Sequence, residues 1–178
     1  VINQGDVIST GNDVGGLVGH IYDGSTSNSL TLNASDSYNI GAIQGEQSIG
    51  GLIGFFSHSG VLIDIENSYN AGNITGSSKL GGIIGEIEFQ SPTITFTSIY
   101  YLTGTAINNI SIGYIHRTPV INGTPSVLSP ISMTAIDTFS NAGYDISSTN
   151  STSIWVIGPN KNTGFPYLRW AEAIIPED

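Results

Sequence analysis

The chain contains no cysteine, almost no cationic side chains and no long apolar run, and each lack removes a class of protein. Without cysteine there is no disulfide framework and no thiolate metal site. Four Lys and Arg stand against fourteen Asp and Glu, a net charge of −10. A surface of that sign repels phosphate backbones and anionic lipid, so nucleic-acid binding and membrane surfaces are disfavoured and neither is expected as a partner. No apolar stretch approaches the ~18 residues that insertion across a bilayer requires. Charged residues make up only 10% of the 178 positions, and Ser, Thr and Asn supply the missing polarity. The chain opens at Val1 inside a patterned segment, which reads as a mature protein or an excised fragment.

What is present is a repeat. Three segments align: "NQGDVISTGNDVGGLVGHIY" from Asn3, "NIGAIQGEQSIGGLIGFFS" from Asn39 and "NAGNITGSSKLGGIIGEIE" from Asn70. Each opens Asn-X-Gly, carries an aliphatic residue two positions after that glycine (Val7, Ile43, Ile74), and reaches an aliphatic-Gly-Gly-aliphatic-aliphatic-Gly core. Tyr38, Tyr69 and Tyr100 recur every 31 residues, as do Leu32, Ile63 and Ile94, and Ala34, Ile65 and Phe96. Gly51, Gly82 and Gly113 share that spacing, although "SIGYIH" keeps little else of the motif. The first copy is longer. Its extra residues are expected in the turn-rich "YDGSTSNS", with one more in "STGND".

Short apolar or alternating segments such as "VLIDIE" and "TITFT", bounded by Gly, Asn and Ser, read as strands. No segment before residue 129 keeps a helical period. A ~31-residue unit of short strands cannot bury an apolar face alone, but it can by coiling once and stacking on the next coil. The expected fold is an all-β β-solenoid over residues 1–116, with rungs ~4.8 Å apart. Leu17, Leu52 and Ile83 would make one inward column, Ile21, Phe56 and Ile87 another, and the tyrosines a third. Stacked glycines would allow close backbone approach or supply positive φ at a corner. Val18, Ile53 and Ile84 are apolar on the opposite parity. Either the Gly pair makes a bulge, which is the favoured reading, or both strand faces are covered.

Residues 117–178 read as a C-terminal capping segment. "SPISMTAIDTFSNAG" is expected to form one short helix, capped by Ser129 or Ser132, with Met133, Ile136 and Phe139 on one face and Gly143 at its end. Trp155, Tyr167 and Trp170 lie in short apolar runs. Packing is the favoured reading for them, and glycan contact the alternative.

The cores "GGLVG", "GGLIG" and "GGIIG", the preceding "SYN" at 37–39 and 68–70, and the tail "SIYYL", "SIWVIG" and "GFPYLRW" resemble GLUG-motif repeat proteins. The third copy departs mildly, with Ile83 for Leu. The resemblance implies bacterial surface adhesins and the non-catalytic region of IgA-specific metallopeptidases: extracellular, with a β-solenoid stalk or display module and no implied activity. The metallopeptidase signature His-Glu-X-X-His is absent.

Candidate chemistry is sparse. Asp64 with Glu66, and Glu86 with Glu88, sit two apart on strands, each pair expected outward. Two carboxylates can act as acid and base or hold Ca²⁺, but a solvated face is the favoured reading, with Lys79 the one cation nearby. His20, His58 and His116 are isolated in sequence, so no metal and no cofactor is expected. Thr10, Thr31, Thr75, Thr93, Thr95 and Thr97 form no regular array of one per rung. Asn33, Asn73, Asn109, Asn122 and Asn150 are glycosylation sequons. The expected function is a non-enzymatic adhesin or display module with a cell-surface or matrix glycan or protein as partner. Two alternatives stay open: a filament subunit built by head-to-tail self-association, and a carbohydrate-binding or carbohydrate-active β-helix.

Overall fold

The computed structural model describes residues 1–22, 31–57, 62–88, 92–149 and 152–175. They divide into two compact units, Val1–Val127 and Leu128–Asp178.

The first unit is a β-solenoid of about three turns. Its broadest sheet is parallel and runs β1 (Ile2–Asn3), β5 (Thr31–Asn39), β9 (Leu62–Asn70), β13 (Thr93–Leu102) and β15 (Val120–Asn122). Two three-stranded sheets follow round each turn: β2 (Val7–Ile8), β6 (Ile43–Gln44), β10 (Ile74–Thr75), then β3 (Val14–Gly15), β7 (Gln47–Gly50), β11 (Ser78–Gly81). The fourth wall is β4 (Val18–Tyr22), β8 (Ile53–Ser57), β12 (Ile84–Ile87) and β14 (Ile112–Ile115). Tyr38, Tyr69 and Tyr100 lie in register, as do Leu32, Ile63 and Ile94. The Tyr38 and Tyr69 rings stack 5.2 Å apart and 5° from parallel.

The insertions fall where turns were expected. Val7 pairs with Ile43 but Val14 with Ile49, so one extra residue of the first copy lies between them. Tyr22 pairs with Ser57 and Thr31 with Leu62, so the remaining extra residues lie in 23–30, outside the described residues. One register corrects the sequence reading. Ile84 pairs with Ile112 and Glu86 with Tyr114, a spacing of 28. Gly113 therefore stands at the level of Gly85, the third glycine of the motif, and not of Gly82.

Each turn has two apolar compartments. One lies between the β5–β9–β13 and β8–β12 walls and holds Leu52, Ile53, Phe56, Ile63, Ile65, Ile83, Ile84 and Ile94 among others. The other holds Val14, Ile43, Ile49, Ile74 and Leu80. The waist between them explains the motif. Asn39 and Asn70 are fully buried there, with Asn3 Nδ2 donating to Asn39 Oδ1 and Asn39 Nδ2 to Asn70 Oδ1, each at 2.7 Å. Each amide also satisfies its own turn: Asn39 Nδ2 donates to the Gly41 carbonyl at 2.9 Å and Asn70 Nδ2 to the Gly72 carbonyl at 3.1 Å. The second glycine of each Gly pair lies against this ladder. A Cβ on Gly16 would sit 2.6 Å from Asn39 Cγ, and one on Gly51 would sit 2.5 Å from Asn70 Nδ2. In the next rung Tyr101 replaces the asparagine, and its ring lies against Gly82.

The motif glycines serve close approach and do not make left-handed corners. Those corners are taken by Asp13, Ser48 and Lys79 (φ 61, 57 and 57) and by Asp36, Asn67 and Ser98 (φ 47, 45 and 56). Parity flips at the residue after the Gly pair: the Leu52 and Ile53 amides both donate to the Ile83 carbonyl at 3.0 Å. That local bend buries both neighbours in one compartment, as a bulge does.

In the second unit the expected single helix is two, α1 (Pro130–Met133) and α2 (Ile136–Ser140). Ser129 caps the first, accepting from the Ser132 amide at 3.2 Å. Ala135 is extended (φ −94, ψ 116), and Thr134 Oγ1 donates back to the Ile131 carbonyl at 3.0 Å, which draws the first helix to a close. The break lets Met133 and Phe139, six residues apart, both be fully buried. Strands β17 (Ile146–Ser147), β18 (Trp155–Val156) and β19 (Tyr167–Leu168) complete the unit.

Candidate functional site

Along β4, β8 and β12 the residues Ile21, Phe56 and Ile87 point into the core, so their alternate neighbours face outward. The register then builds a column His20, Phe55, Glu86, Tyr114. The left-handed corner Asp13, Ser48, Lys79 runs alongside it, one residue before the paired Val14, Ile49 and Leu80. In a chain with so few charges, this flank gathers several of them.

Glu86 is the centre, and it corrects the expectation of an outward solvated carboxylate. It is only 3% exposed. Lys79 Nζ donates to its Oε1 at 2.7 Å, His116 Nε2 lies 2.5 Å from the same oxygen, and Ser48 Oγ donates to Oε2. Burial alone would raise the carboxyl pKa. The hydrogen bonds from Lys79, Ser48 and His116 outweigh it and hold the group below the ordinary value. Lys79 Nζ also stands 5.6 Å from the centroid of the Tyr114 ring.

A second pair, of a carboxylate and an imidazole, lies two rungs away. His20 Nδ1 is 3.2 Å from Asp13 Oδ2, and His20 Nε2 is 3.0 Å from Ser57 Oγ. The His20 ring packs 4.7 Å from Phe55 and 5.9 Å from Tyr22. Asp13 is shifted upward, first by burial; the charges of Glu86 and Glu88 add to the rise, while His20 and Lys79 oppose it.

This arrangement suits ion pairing and ring contact. A general acid needs a raised pKa and a free proton position, whereas Glu86 is held low with both oxygens engaged. Asp64 and Glu66 are exposed on β9, in register with neutral Asn33 and Ser35 on one side and Thr95 and Thr97 on the other. Among the described residues no three His, Asp or Glu side chains are placed to share a metal ion, and no helix is long and apolar enough to cross a membrane.

The other sequence candidates scatter. Asn33, Asn73, Asn109 and Asn122 are exposed. Asn150 and His58 lie outside the described residues. Trp155 is fully buried against Tyr144, 5.3 Å away, and Tyr167 is 4% exposed, so neither ring offers a face to a sugar. Trp170 is 66% exposed. The sequence reading missed the joining of Lys79, Glu86 and His116, because Lys79 reaches Glu86 from the corner of its own rung while His116 comes from the next. The signal was the pairing of "SIGYIH" with "IIGEIE" on their shared Ile-Gly, which sets the 28-residue register.

Comparison with protein-family models, with curated proteins and with solved structures returns no match.

Proposed function

We propose that the chain is a non-enzymatic, extracellular display module: a stiff β-solenoid that spaces or presents a binding surface at a cell exterior, in the manner of GLUG-repeat adhesins. The observation that carries this reading is the parallel ladder of stacked rungs, with amide, hydroxyl and ring pairs buried in register through its two central rungs. Asn39, Asn70, Ser68, Tyr38 and Tyr69 are all fully buried and in register. Such pairs resist bending and shear, because displacing one rung breaks buried hydrogen bonds that water cannot replace. The enclosed Glu86 carboxylate and the neutral setting of Asp64 and Glu66 favour presentation over catalysis. A glycan or protein of the cell surface or matrix is the partner class this reading expects.

Antibody labelling of intact source cells tests it. Labelling without permeabilisation supports the reading; labelling only after permeabilisation refutes it. In parallel, polysaccharide cleavage that is lost in Glu86→Gln would replace it with the carbohydrate-active alternative.

A filament subunit is the second reading. Successive rungs pair in parallel and in register, a pairing that a rung of another chain could continue wherever a strand edge is exposed. Long unbranched fibres in electron micrographs of the pure protein would favour it.

A further inference from the structure

The Asp13–His20 and Lys79–Glu86 pairs on the β4–β8–β12–β14 flank are copies of one arrangement with the carboxylate moved from the strand to the corner. Asp13 and Lys79 occupy the same left-handed corner two rungs apart, and His20 and Glu86 occupy the same strand position. Each pair lies against an aromatic ring of the following rung: Phe55 for the first, Tyr114 for the second. In the Lys79 copy an ammonium sits between a carboxylate and a ring, and the chain itself supplies all three parts. In the Asp13 copy the carboxylate and the rings are present, but the matching residue is an imidazole, which balances a carboxylate with a full charge only when protonated.

We propose that this flank is a docking surface for a Lys- or Arg-bearing segment of a partner protein, whose cationic head group enters beside Asp13 against the rings of Tyr22 and Phe55. Four observations carry it. Tyr22 is 68% exposed, far more than a packing residue needs. Asp13 and His20 keep 29% and 38% of their side-chain surface open to solvent, so a head group can reach them. Asp13, Glu86 and Glu88 place three carboxylates on this flank against the single lysine Lys79, whose charge with that of His20 opposes theirs at Asp13, so by count of acidic against basic side chains the flank favours a cation. Lys79 shows that a carboxylate and a ring on this flank can hold an ammonium between them. A second copy of the chain is a poor occupant, since each carries −10 with only four cations to offer, and an anionic partner would be repelled. The inference gives the display reading a partner chemistry and can fail while that reading stands.

The test is an NMR titration of the isotope-labelled full chain with acetylated, amidated pentalysine at low ionic strength, with pentaglutamate as control. Saturable amide shifts centred on Asp13, His20, Tyr22 and Phe55 are expected, and none with pentaglutamate. Asp13→Asn keeps a residue that tolerates the left-handed corner and should weaken binding about three- to tenfold. Tyr22→Ala, at an exposed position, should weaken it about twofold or more. Asp64→Asn removes the same charge from the outward face of β9 and should change affinity by less than about twofold. Shifts spread over all acidic residues, equal losses in Asp13→Asn and Asp64→Asn, or no saturable binding would each overturn the proposal. So would concentration-dependent shifts at these residues without peptide, which would assign the flank to a second copy. Antibody labelling of intact cells reports separately on the display reading.

Discussion

Gly51→Ala is the sharpest perturbation of the waist. Its φ is not in the left-handed region, so alanine can adopt the backbone, and restricting the unfolded chain would by itself stabilise by about 0.4–1 kcal/mol. Space decides the sign. The added Cβ would meet the Gly82 carbonyl and lie 2.5 Å from Asn70 Nδ2. Both neighbours are held: the Gly82 carbonyl is backbone, and the Asn70 amide is fixed by Asn39 Nδ2 at 2.7 Å and by the Gly72 amide and carbonyl, each at 3.1 Å. Overpacking of this kind costs about 1–3 kcal/mol. Displacing the amide loses hydrogen bonds worth about 1 kcal/mol each and leaves buried polar atoms without partners. The net expectation is a destabilisation of about 3–5 kcal/mol. Gly11→Ala is the control: its Cβ would meet only Ser9 Oγ, at an ordinary 3.6 Å, and the change should stay within about 0.5 kcal/mol. Urea unfolding compares the two variants, and hydrogen exchange locates the loss, which should fall on the amides of 70–72 and their ladder neighbours. If Gly51→Ala is as stable as wild type, or Gly11→Ala is the worse of the two, the close-approach account of the Gly pair is wrong.

Three further outcomes follow from the same geometry. Glu86→Gln should cost about 2–4 kcal/mol at neutral pH, because it leaves Lys79 and His116 beside an uncharged group. Glu86 is held below its ordinary value of 4.5, so its contribution is complete above about pH 4.5 and is lost as pH falls through the lower folded value. The stability gap between wild type and Glu86→Gln should therefore narrow on acidification, and a gap that widens would refute the ion-pair assignment. Asn70→Ala breaks the amide ladder at its middle and should destabilise by about 2–3 kcal/mol in urea unfolding, whereas Asn73→Ala, at an exposed position, should be near neutral. Trp155→Ala should cost about 3–5 kcal/mol and abolish the near-ultraviolet circular dichroism of the Tyr144–Trp155 contact, while Trp170→Ala should stay within about 0.5 kcal/mol by thermal unfolding.

The strand stack was legible in the sequence because stacking itself writes the period. Residues that lie above one another meet the same neighbours, so Ile63 and Ile94, or Tyr38 and Tyr69, are chosen by one environment repeated. The chain alone therefore determined the solenoid, its 31-residue core spacing and the places along the chain where the insertions fall. Where the environment stops repeating, the period stops informing. The last rung shortens to 28 residues, and that slip moves Tyr114 and His116 beside Glu86 and Glu88. Only the folded chain decided that Glu86, outward by alternation, would be covered by a lysine from the corner and a histidine from another rung. Only the fold showed that the paired glycines yield space to asparagine, while Asp, Ser and Lys take the left-handed corners. Alternation fixes which way a side chain points; what it meets there depends on which rungs come to lie beside it.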